Sequence, residues 1–92
     1  MKQIIAIDVG NSETTVGVGC STKWTGYRFT TRKTITSDEL LMMFKTIIDE
    51  KPIKENLIDG AVICSVVPQI TKSVALATSK FISKDPIVVG PG

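Results

Sequence analysis

The residues best suited to chemistry lie between two apolar runs near the amino terminus. Asp8, Gly10, Ser12 and Thr14 recur at every second position after the apolar run 4–7. Because side chains alternate along an extended chain, these residues are expected to point the same way as the chain leaves its first strand. A carboxylate at a strand end can hold a hydrated Mg²⁺, and neighbouring hydroxyls can donate to phosphate oxygens. The spacing therefore predicts a phosphate site.

The turn Gly10-Asn11-Ser12 is the second part of this prediction. Glycine and asparagine tolerate left-handed backbone angles, which would let successive N–H groups converge on phosphate oxygens. The residues also fit an ordinary turn in which Asp8 is only a solvated strand end. Short motifs are weakly specific, so the residues alone leave both interpretations open.

Composition limits the size and class of the protein. Its 92 residues are 42% apolar and carry a net charge of +2, which suits one small domain with a single core. The balanced charge argues against a nucleic-acid partner. No apolar run could span a membrane, and the start MKQIIAID does not resemble a signal peptide. We therefore expect a cytoplasmic protein without a membrane partner.

Two cysteines, Cys20 and Cys64, lie in apolar, strand-like segments, and the sequence has no histidine. A zinc site is disfavoured because neither cysteine belongs to a ligand motif. We expect two buried, free thiols in a reducing compartment.

The first half of the chain is expected to form three strands and a helix. The hairpin around the turn is followed by a third strand at 24–31, and the short connections favour an antiparallel meander. Thr36 and Glu39 have the spacing of a capping box, which begins a helix that runs to about Glu50, ahead of Pro52. Its apolar face consists of Leu40, Leu41, Phe44, Ile47 and Ile48.

The second half alternates strands with a helix. A charged connection, 51–59, precedes the apolar segment 60–67, which is typical of a strand covered on both faces. Pro68 opens a second helix, and 87–89 forms a last buried strand. The buried stripe of this helix is Ile70, Val74, Ala77 and Phe81.

Helical crossovers should make the last two strands parallel to their neighbours, giving a mixed five-stranded sheet of α/β class. Ligands bind such sheets beyond the carboxyl ends of the parallel strands. Asp8, Ser65 and the closing residues Gly90 and Gly92 are expected along that rim.

This order and the stretch DVGNSETT resemble the ribonuclease-H-like, actin-like ATPase domain of the actin, hexokinase and sugar-kinase superfamily. More specifically, the chain resembles the N-terminal half of the type III pantothenate kinase family. Five segments carry this resemblance in order along the chain: DVGNSETT, YRFTT, TSDELL, GAVICSVVPQIT and PIVVGPG.

The resemblance implies ATP-dependent phosphorylation of pantothenate, the first step of coenzyme A synthesis. It assigns Asp8 to the metal and Gly10, Asn11 and Ser12 to the ATP phosphates, with Thr14 beside them. The implied cofactors are ATP, Mg²⁺ and in some members a monovalent cation, K⁺ or NH₄⁺. A homodimer is expected.

The resemblance also has departures. Ser12 replaces a more usual threonine, Glu13 should point away from a phosphate site, and Cys64 replaces a serine. The family's kinases have two such halves around ATP, and the segment with the catalytic base and pantothenate contacts follows the last strand seen here. Residues 1–92 are thus expected to be a single half-domain, a gene fragment or split subunit that is inactive alone and needs its second half. The alternatives are a non-catalytic phosphate-binding module acting through another chain, and a related kinase with a different acceptor.

Overall fold

The computed structural model describes residues 2–49 and 58–90. Five strands and two helices follow one another in these ranges. They are β1 (Gln3–Val9), β2 (Glu13–Cys20), β3 (Lys23–Thr30), α1 (Ser37–Asp49), β4 (Ile58–Ser65), α2 (Pro68–Ile82) and β5 (Ile87–Val89).

The strands form one mixed sheet in the order β3-β2-β1-β4-β5. β2 pairs antiparallel with both β1 and β3, which confirms the predicted meander. β4 pairs parallel with β1, and β5 parallel with β4, as the helical crossovers require. The α/β class and the mixed five-stranded sheet predicted from the sequence are therefore confirmed.

Alternation along β1 divides the sheet into two different faces. Ile5, Ile7 and Val9 are buried on the face that the helices cover. Ile4, Ala6 and Asp8 point to the opposite face and are exposed. We call this second face the open face, because within residues 2–49 and 58–90 no helix packs on it.

Both helices use the apolar stripes that the sequence predicts. Phe44 of α1 and Phe81 of α2 meet in the core, with ring centroids 5.8 Å apart. Four of the five expected residues of α1 are buried, whereas Leu41 is only partly buried. All four residues of the α2 stripe are buried. Neither helix in the described residues is long and apolar enough to cross a membrane.

Three predictions about burial are wrong. β4 is not covered on both faces, since its burial alternates and Cys64 is exposed. β5 is exposed throughout, with Ile87 64% accessible. Cys20 and Cys64 form no disulfide, as expected, but the expected burial is wrong, since Cys20 is only half-buried and Cys64 is exposed. The physical reason is that burial depends on which elements pack against a strand: among the described residues, the helices cover one face of β4, and β5 lies at the edge of the sheet.

Several expectations fall on residues outside the described ranges. The connection at 51–57, the predicted helix end at Glu50, and Gly92 belong to this group. Asp59, expected in the connection, lies instead in β4. Its carboxylate is 3.6 Å from Lys2 Nζ and 3.4 Å from Lys84 Nζ, and these exposed pairs contribute little stability.

The capping box at the start of α1 is formed as predicted. The Thr36 N–H donates to Glu39 Oε1 over 3.0 Å, and the Glu39 N–H donates to Thr36 Oγ1 over 3.1 Å. Arg32 donates to Glu39 Oε2, also over 3.1 Å. The backbone hydrogen bond from Thr36, followed by the bond from Arg32, lowers the pKa of Glu39 below its ordinary value of 4.5.

We predict that this carboxylate makes the stability of the fold depend on pH. Because the pKa of Glu39 is lower in the folded chain than in the unfolded chain, its stabilisation is present above the ordinary pKa and is lost as the pH falls through the folded pKa. Glu39→Gln should therefore lower the free energy of unfolding at about pH 7 and change it little at about pH 3, measured by urea denaturation. Asp38→Asn, in the same helical turn, is the matched control; equal pH dependence in both variants would contradict the prediction.

Candidate functional site

Three parallel strands bring the candidate residues to one rim of the sheet. β1, β4 and β5 all end there, and the Val66 N–H donates to the Val9 carbonyl over 3.0 Å. Gly90 follows β5 with φ +106°, and a Cβ added to it would lie 3.7 Å from the Ser65 carbonyl oxygen. The rim predicted from the topology therefore joins Asp8, Ser65 and Gly90.

Asp8 is the exposed carboxylate of this rim. It is the penultimate residue of the central strand and lies between Thr15 of β2 and Cys64 of β4 in the sheet register. These residues border a shallow depression of about 360 Å³ on the open face. Within residues 2–49 and 58–90, the Asp8 carboxylate forms no hydrogen bond or ion pair, so both its oxygens can accept a ligand.

Backbone hydrogen bonds fix the turn beside Asp8. The Gly10 N–H donates to the Glu13 carbonyl over 2.9 Å, and the Ser12 carbonyl accepts from the Thr31 N–H over 2.9 Å. Asn11 and Ser12 are exposed. In the described part of the chain, their own N–H groups donate to no backbone carbonyl of the turn. Two amides and the Ser12 hydroxyl are thus available to an anion.

The expected backbone conformation of the turn is wrong. Neither Gly10 nor Asn11 has a positive φ, so a left-handed conformation does not shape this turn. Glycine is favoured at position 10 for a different reason. A Cβ there would lie 3.0 Å from the Glu13 carbonyl oxygen, the atom that accepts the Gly10 hydrogen bond. Glycine is therefore favoured because the two chain segments approach closely, and not because the backbone needs a left-handed conformation.

The alternation predicted across the turn is also wrong for Thr14. This residue is only 1% exposed and lies on the helix-covered face, where it pairs with Val9. Its hydroxyl is 2.8 Å from that of Thr31. The chain reverses direction between Val9 and Thr14, so the alternation of side chains in β1 does not continue into β2. Thr15, the cross-strand partner of Asp8, therefore shares its face instead of Thr14. The sequence analysis did not identify Thr15 as a residue beside Asp8. Only the pairing of β1 with β2 places the two residues opposite each other.

Glu13 and Ser65 occupy different environments. Glu13 is exposed on the same face of β2 as Thr15, with its carboxylate 3.6 Å from Arg28. Ser65 is buried, and its Oγ accepts the Val67 N–H over 3.1 Å and the Thr71 hydroxyl over 2.9 Å. These bonds fasten the start of α2 to the end of β4. The Ser65 hydroxyl therefore helps to position the rim loop.

The donor set at the rim fits a phosphate-bridged Mg²⁺ better than a metal held by protein ligands alone. Among the described residues, no group of three acidic, cysteine or histidine side chains could hold a metal. Mg²⁺ commonly takes one or two carboxylates and completes its shell with phosphate oxygens and water. One exposed carboxylate beside two available amides matches that pattern.

Solved structures define the fold class of this domain. YeaZ from Pseudomonas aeruginosa superimposes with a TM-score of 0.72 at 11% identity, covering 98% of this chain and 44% of that protein. RuvC from Thermus thermophilus superimposes with a TM-score of 0.58 at 13% identity, covering 99% of this chain and 66% of RuvC. At these identities the likeness concerns the fold alone, and it confirms the ribonuclease-H-like, actin-like fold expected from the sequence.

Sequence comparison identifies the family. The profile of the type III pantothenate kinases matches residues 4–92. The Agathobacter rectalis type III pantothenate kinase is 38% identical over 91 residues, and that of Bifidobacterium animalis subsp. lactis is 36% identical over 91 residues. The chain belongs to the type III pantothenate kinase family.

The match covers only part of each relative. It includes 97% of this chain but 35% of the Agathobacter rectalis protein and 36% of the Bifidobacterium animalis protein. The chain corresponds to the N-terminal portion of these kinases.

We predict that the Thr14 and Thr31 hydroxyls stabilise the turn as a pair. Thr14→Val leaves the Thr31 hydroxyl without this partner and should lower the free energy of unfolding by about 1 kcal/mol, as should Thr31→Val. The double variant should cost less than the sum of the two, giving a coupling energy of about 1 kcal/mol in a double-mutant cycle. Additive losses in urea denaturation would show that the hydroxyls act independently.

We predict that Gly10→Ala destabilises the domain because its new methyl group meets the Glu13 carbonyl oxygen. The expected loss is about 1 kcal/mol or more. Gly26→Ala in β3 is the matched control, since a Cβ at that position has no atom within 4 Å. Thermal denaturation of both variants checks the prediction; a Gly10→Ala variant as stable as Gly26→Ala would contradict it.

Proposed function

We propose that this chain forms the ATP-phosphate-binding half of a pantothenate kinase, which converts ATP and pantothenate to ADP and 4′-phosphopantothenate. The observation that carries the proposal is the position of Asp8. Its accessible carboxylate ends the central strand beside a turn with two available amides, within a chain of the type III pantothenate kinase family.

Each residue of the turn has a distinct part in the proposed site. Asp8 holds the nucleotide-associated Mg²⁺ through water or directly, while Asn11 and Ser12 donate to phosphate oxygens. The Gly10 N–H is already bonded to the Glu13 carbonyl and does not donate to phosphate. Gly10 instead serves the site by leaving room for the tight turn. Thr14 acts from the buried side, where its hydroxyl secures the turn to Thr31.

The same proposal explains why the chain alone should be inactive. Phosphoryl transfer depends on positioning and on charge stabilisation around the transferred group from several sides. When bound, Mg²⁺ neutralises charge that develops on the phosphate oxygens. The rim described here supplies donors from one side only. We propose that the catalytic base and the main pantothenate contacts belong to the portion of the relatives beyond the matched segment.

Ser65, Gly90 and Gly92 border the substrate side in this proposal. Ser65 acts indirectly, because its hydroxyl is engaged with Val67 and Thr71. Gly90, with its positive φ, allows the chain to turn beside the Ser65 carbonyl as it leaves β5. We include in the same proposal a requirement for K⁺ or NH₄⁺, a cytoplasmic location and assembly as a homodimer.

Pantothenate-dependent release of ADP from ATP and Mg²⁺ tests the proposal. The assay compares the 92-residue chain with the chain continued in frame to its natural stop codon, which we call the extended protein. Activity in the extended protein alone is the expected result. ADP release that does not respond to pantothenate would indicate another acceptor, and nucleotide binding without turnover in the extended protein would indicate a non-catalytic module.

We predict that Asp8→Asn lowers turnover of the extended protein by about 100-fold or more, because it removes the carboxylate charge that would hold the nucleotide-associated Mg²⁺. The melting temperature should change little, since Asp8 is exposed. Asp59→Asn is the matched control: its carboxylate lies in β4 toward the opposite end of the sheet, beside Lys2 and Lys84. Turnover of Asp8→Asn equal to that of Asp59→Asn would remove Asp8 from the mechanism.

A further inference from the structure

Arg28 of β3 lies in the same cross-strand row as Asp8. The register pairs Asp8 with Thr15 and Thr15 with Arg28, so these three side chains follow one another across β1, β2 and β3 on the open face. Neighbouring strands are about 4.8 Å apart, which places the Arg28 backbone roughly 10 Å from that of Asp8. A long arginine stem can lie along the sheet surface and carry its charge over part of that distance. Arg28 is therefore a cation close to the proposed phosphate site.

An ion pair directs the Arg28 guanidinium toward the turn beside Asp8. Glu13 begins β2 directly after that turn, and its carboxylate lies 3.6 Å from Arg28 Nη1. The two residues are diagonal neighbours on one face, because Glu13 pairs with Thr30 and Arg28 pairs with Thr15. The guanidinium thus points along the sheet toward the rim, where the available amides of the turn are found.

This ion pair leaves the guanidinium able to take another partner. Its 3.6 Å separation exceeds the roughly 2.7–2.9 Å of a charge-assisted hydrogen bond. The side chains of Arg28 and Glu13 are 72% and 61% exposed, and pairs so open to water contribute little stability. In the described part of the chain, the guanidinium donates no hydrogen bond. Its N–H donors are consequently available to an anion that offers better geometry.

The charges around the turn indicate which anion that is. Asp8 and Glu13 both present carboxylates on the open face, beside the available amides of Asn11 and Ser12. A polyphosphate at these amides adds further negative charge, and Mg²⁺ at Asp8 would offset only part of it. Glu13 would still repel the phosphates. Arg28 supplies the missing positive charge, and its planar guanidinium matches two phosphate oxygens at once.

The surface between Asp8 and Arg28 has room for an extended anion. The depression of about 360 Å³ beside Asp8 includes Gly17 in its lining. A second depression, of about 510 Å³, includes Glu13, Gly26 and Arg28. Gly17 and Gly26 are cross-strand partners, so neither contributes a side chain that would separate the two depressions.

We propose that Arg28 is a phosphate-binding residue, whose guanidinium exchanges the Glu13 carboxylate for phosphate oxygens of the nucleotide held at the Asp8 turn. This inference rests on the proposed function, because that function locates the nucleotide phosphates at the turn. Before binding, Glu13 keeps the guanidinium beside the turn, which reduces the conformational entropy that Arg28 loses when phosphate arrives. After the exchange, the Glu13 carboxylate is solvated, since it is exposed at the start of β2.

Binding of Mg²⁺–ATP to the extended protein, measured by isothermal titration calorimetry, tests the role of Arg28. Arg28→Gln removes both the charge and the paired donors and should raise the Kd by about 10-fold or more, whereas Arg28→Lys keeps the charge and should raise it by about 3-fold. Lys23→Gln is the matched control, because it removes one exposed positive charge from the other end of β3. Equal Kd values for Arg28→Gln and Lys23→Gln would overturn the proposal.

Glu13→Gln separates phosphate binding from simple neutralisation of Glu13. If Arg28 only offsets the Glu13 charge, the double variant Glu13→Gln, Arg28→Gln should bind ATP as tightly as the unmodified protein. If Arg28 binds phosphate, the double variant should stay at least about 5-fold weaker than Glu13→Gln alone. Glu13→Gln alone should bind at least as tightly as the unmodified protein, because its guanidinium no longer has to leave a carboxylate. Full recovery of affinity in the double variant would contradict the proposal.

A parallel measurement on Asp8→Asn separates this inference from the proposed function. Weaker ATP binding in Asp8→Asn with unchanged binding in Arg28→Gln would overturn the role of Arg28 and leave the proposed function intact. Weaker binding in Arg28→Gln alone would show phosphates held without Asp8, which contradicts the proposed function. In the kinase assay, Arg28→Gln should raise the KM for ATP and leave the KM for pantothenate unchanged, a difference that a general loss of folding would not produce.

Discussion

The pairing of β1 with a strand on each side is the constraint on which the rest of this structure depends. Antiparallel pairing with β2 requires the tight turn beside Asp8, and parallel pairing with β4 requires a helical crossover. The same parallel pairing brings the ends of β1, β4 and β5 to one rim. Burial of Ile5, Ile7 and Val9 beneath the helices fixes the register, since a shift of one residue would expose all three.

The candidate site is built by backbone geometry more than by side-chain clustering. The Asp8 carboxylate faces the open side, and the available donors are the amides and hydroxyl of the adjacent turn. Threonine hydroxyls secure that turn from the buried side, and the Ser65 hydroxyl secures the neighbouring loop. Preorganised backbone donors suit phosphate because they lose little conformational entropy when the anion binds. Buried polar residues border the rim because their hydroxyls hold the turn and the loop in place, while the exposed groups remain available to an anion.

The two faces of the sheet differ because the helices pack on one of them and leave the other accessible in the described residues. On the helix side, Phe44 and Phe81 complete a packed core with the β-branched residues of the sheet. On the open face, small residues and the Trp24 indole form a smooth apolar surface next to the polar rim. Among the described residues, the helices pack on one face of the sheet and leave the other face accessible.

The sequence by itself determined the order of the elements, the helix starts and the family. The Thr36–Glu39 spacing, the apolar stripes and Pro68 are local signals, because capping and helical periodicity depend on residues a few positions apart. It also located Asp8 at a strand end. Only the tertiary structure decided which residues share a face with Asp8, because chain reversal and cross-strand register placed Thr15 beside it and turned Thr14 toward the core. Likewise, the apolar composition of β4 and β5 could not reveal that one face of β4 is open and that β5 is exposed throughout, since burial depends on which elements pack there and not on hydrophobicity alone.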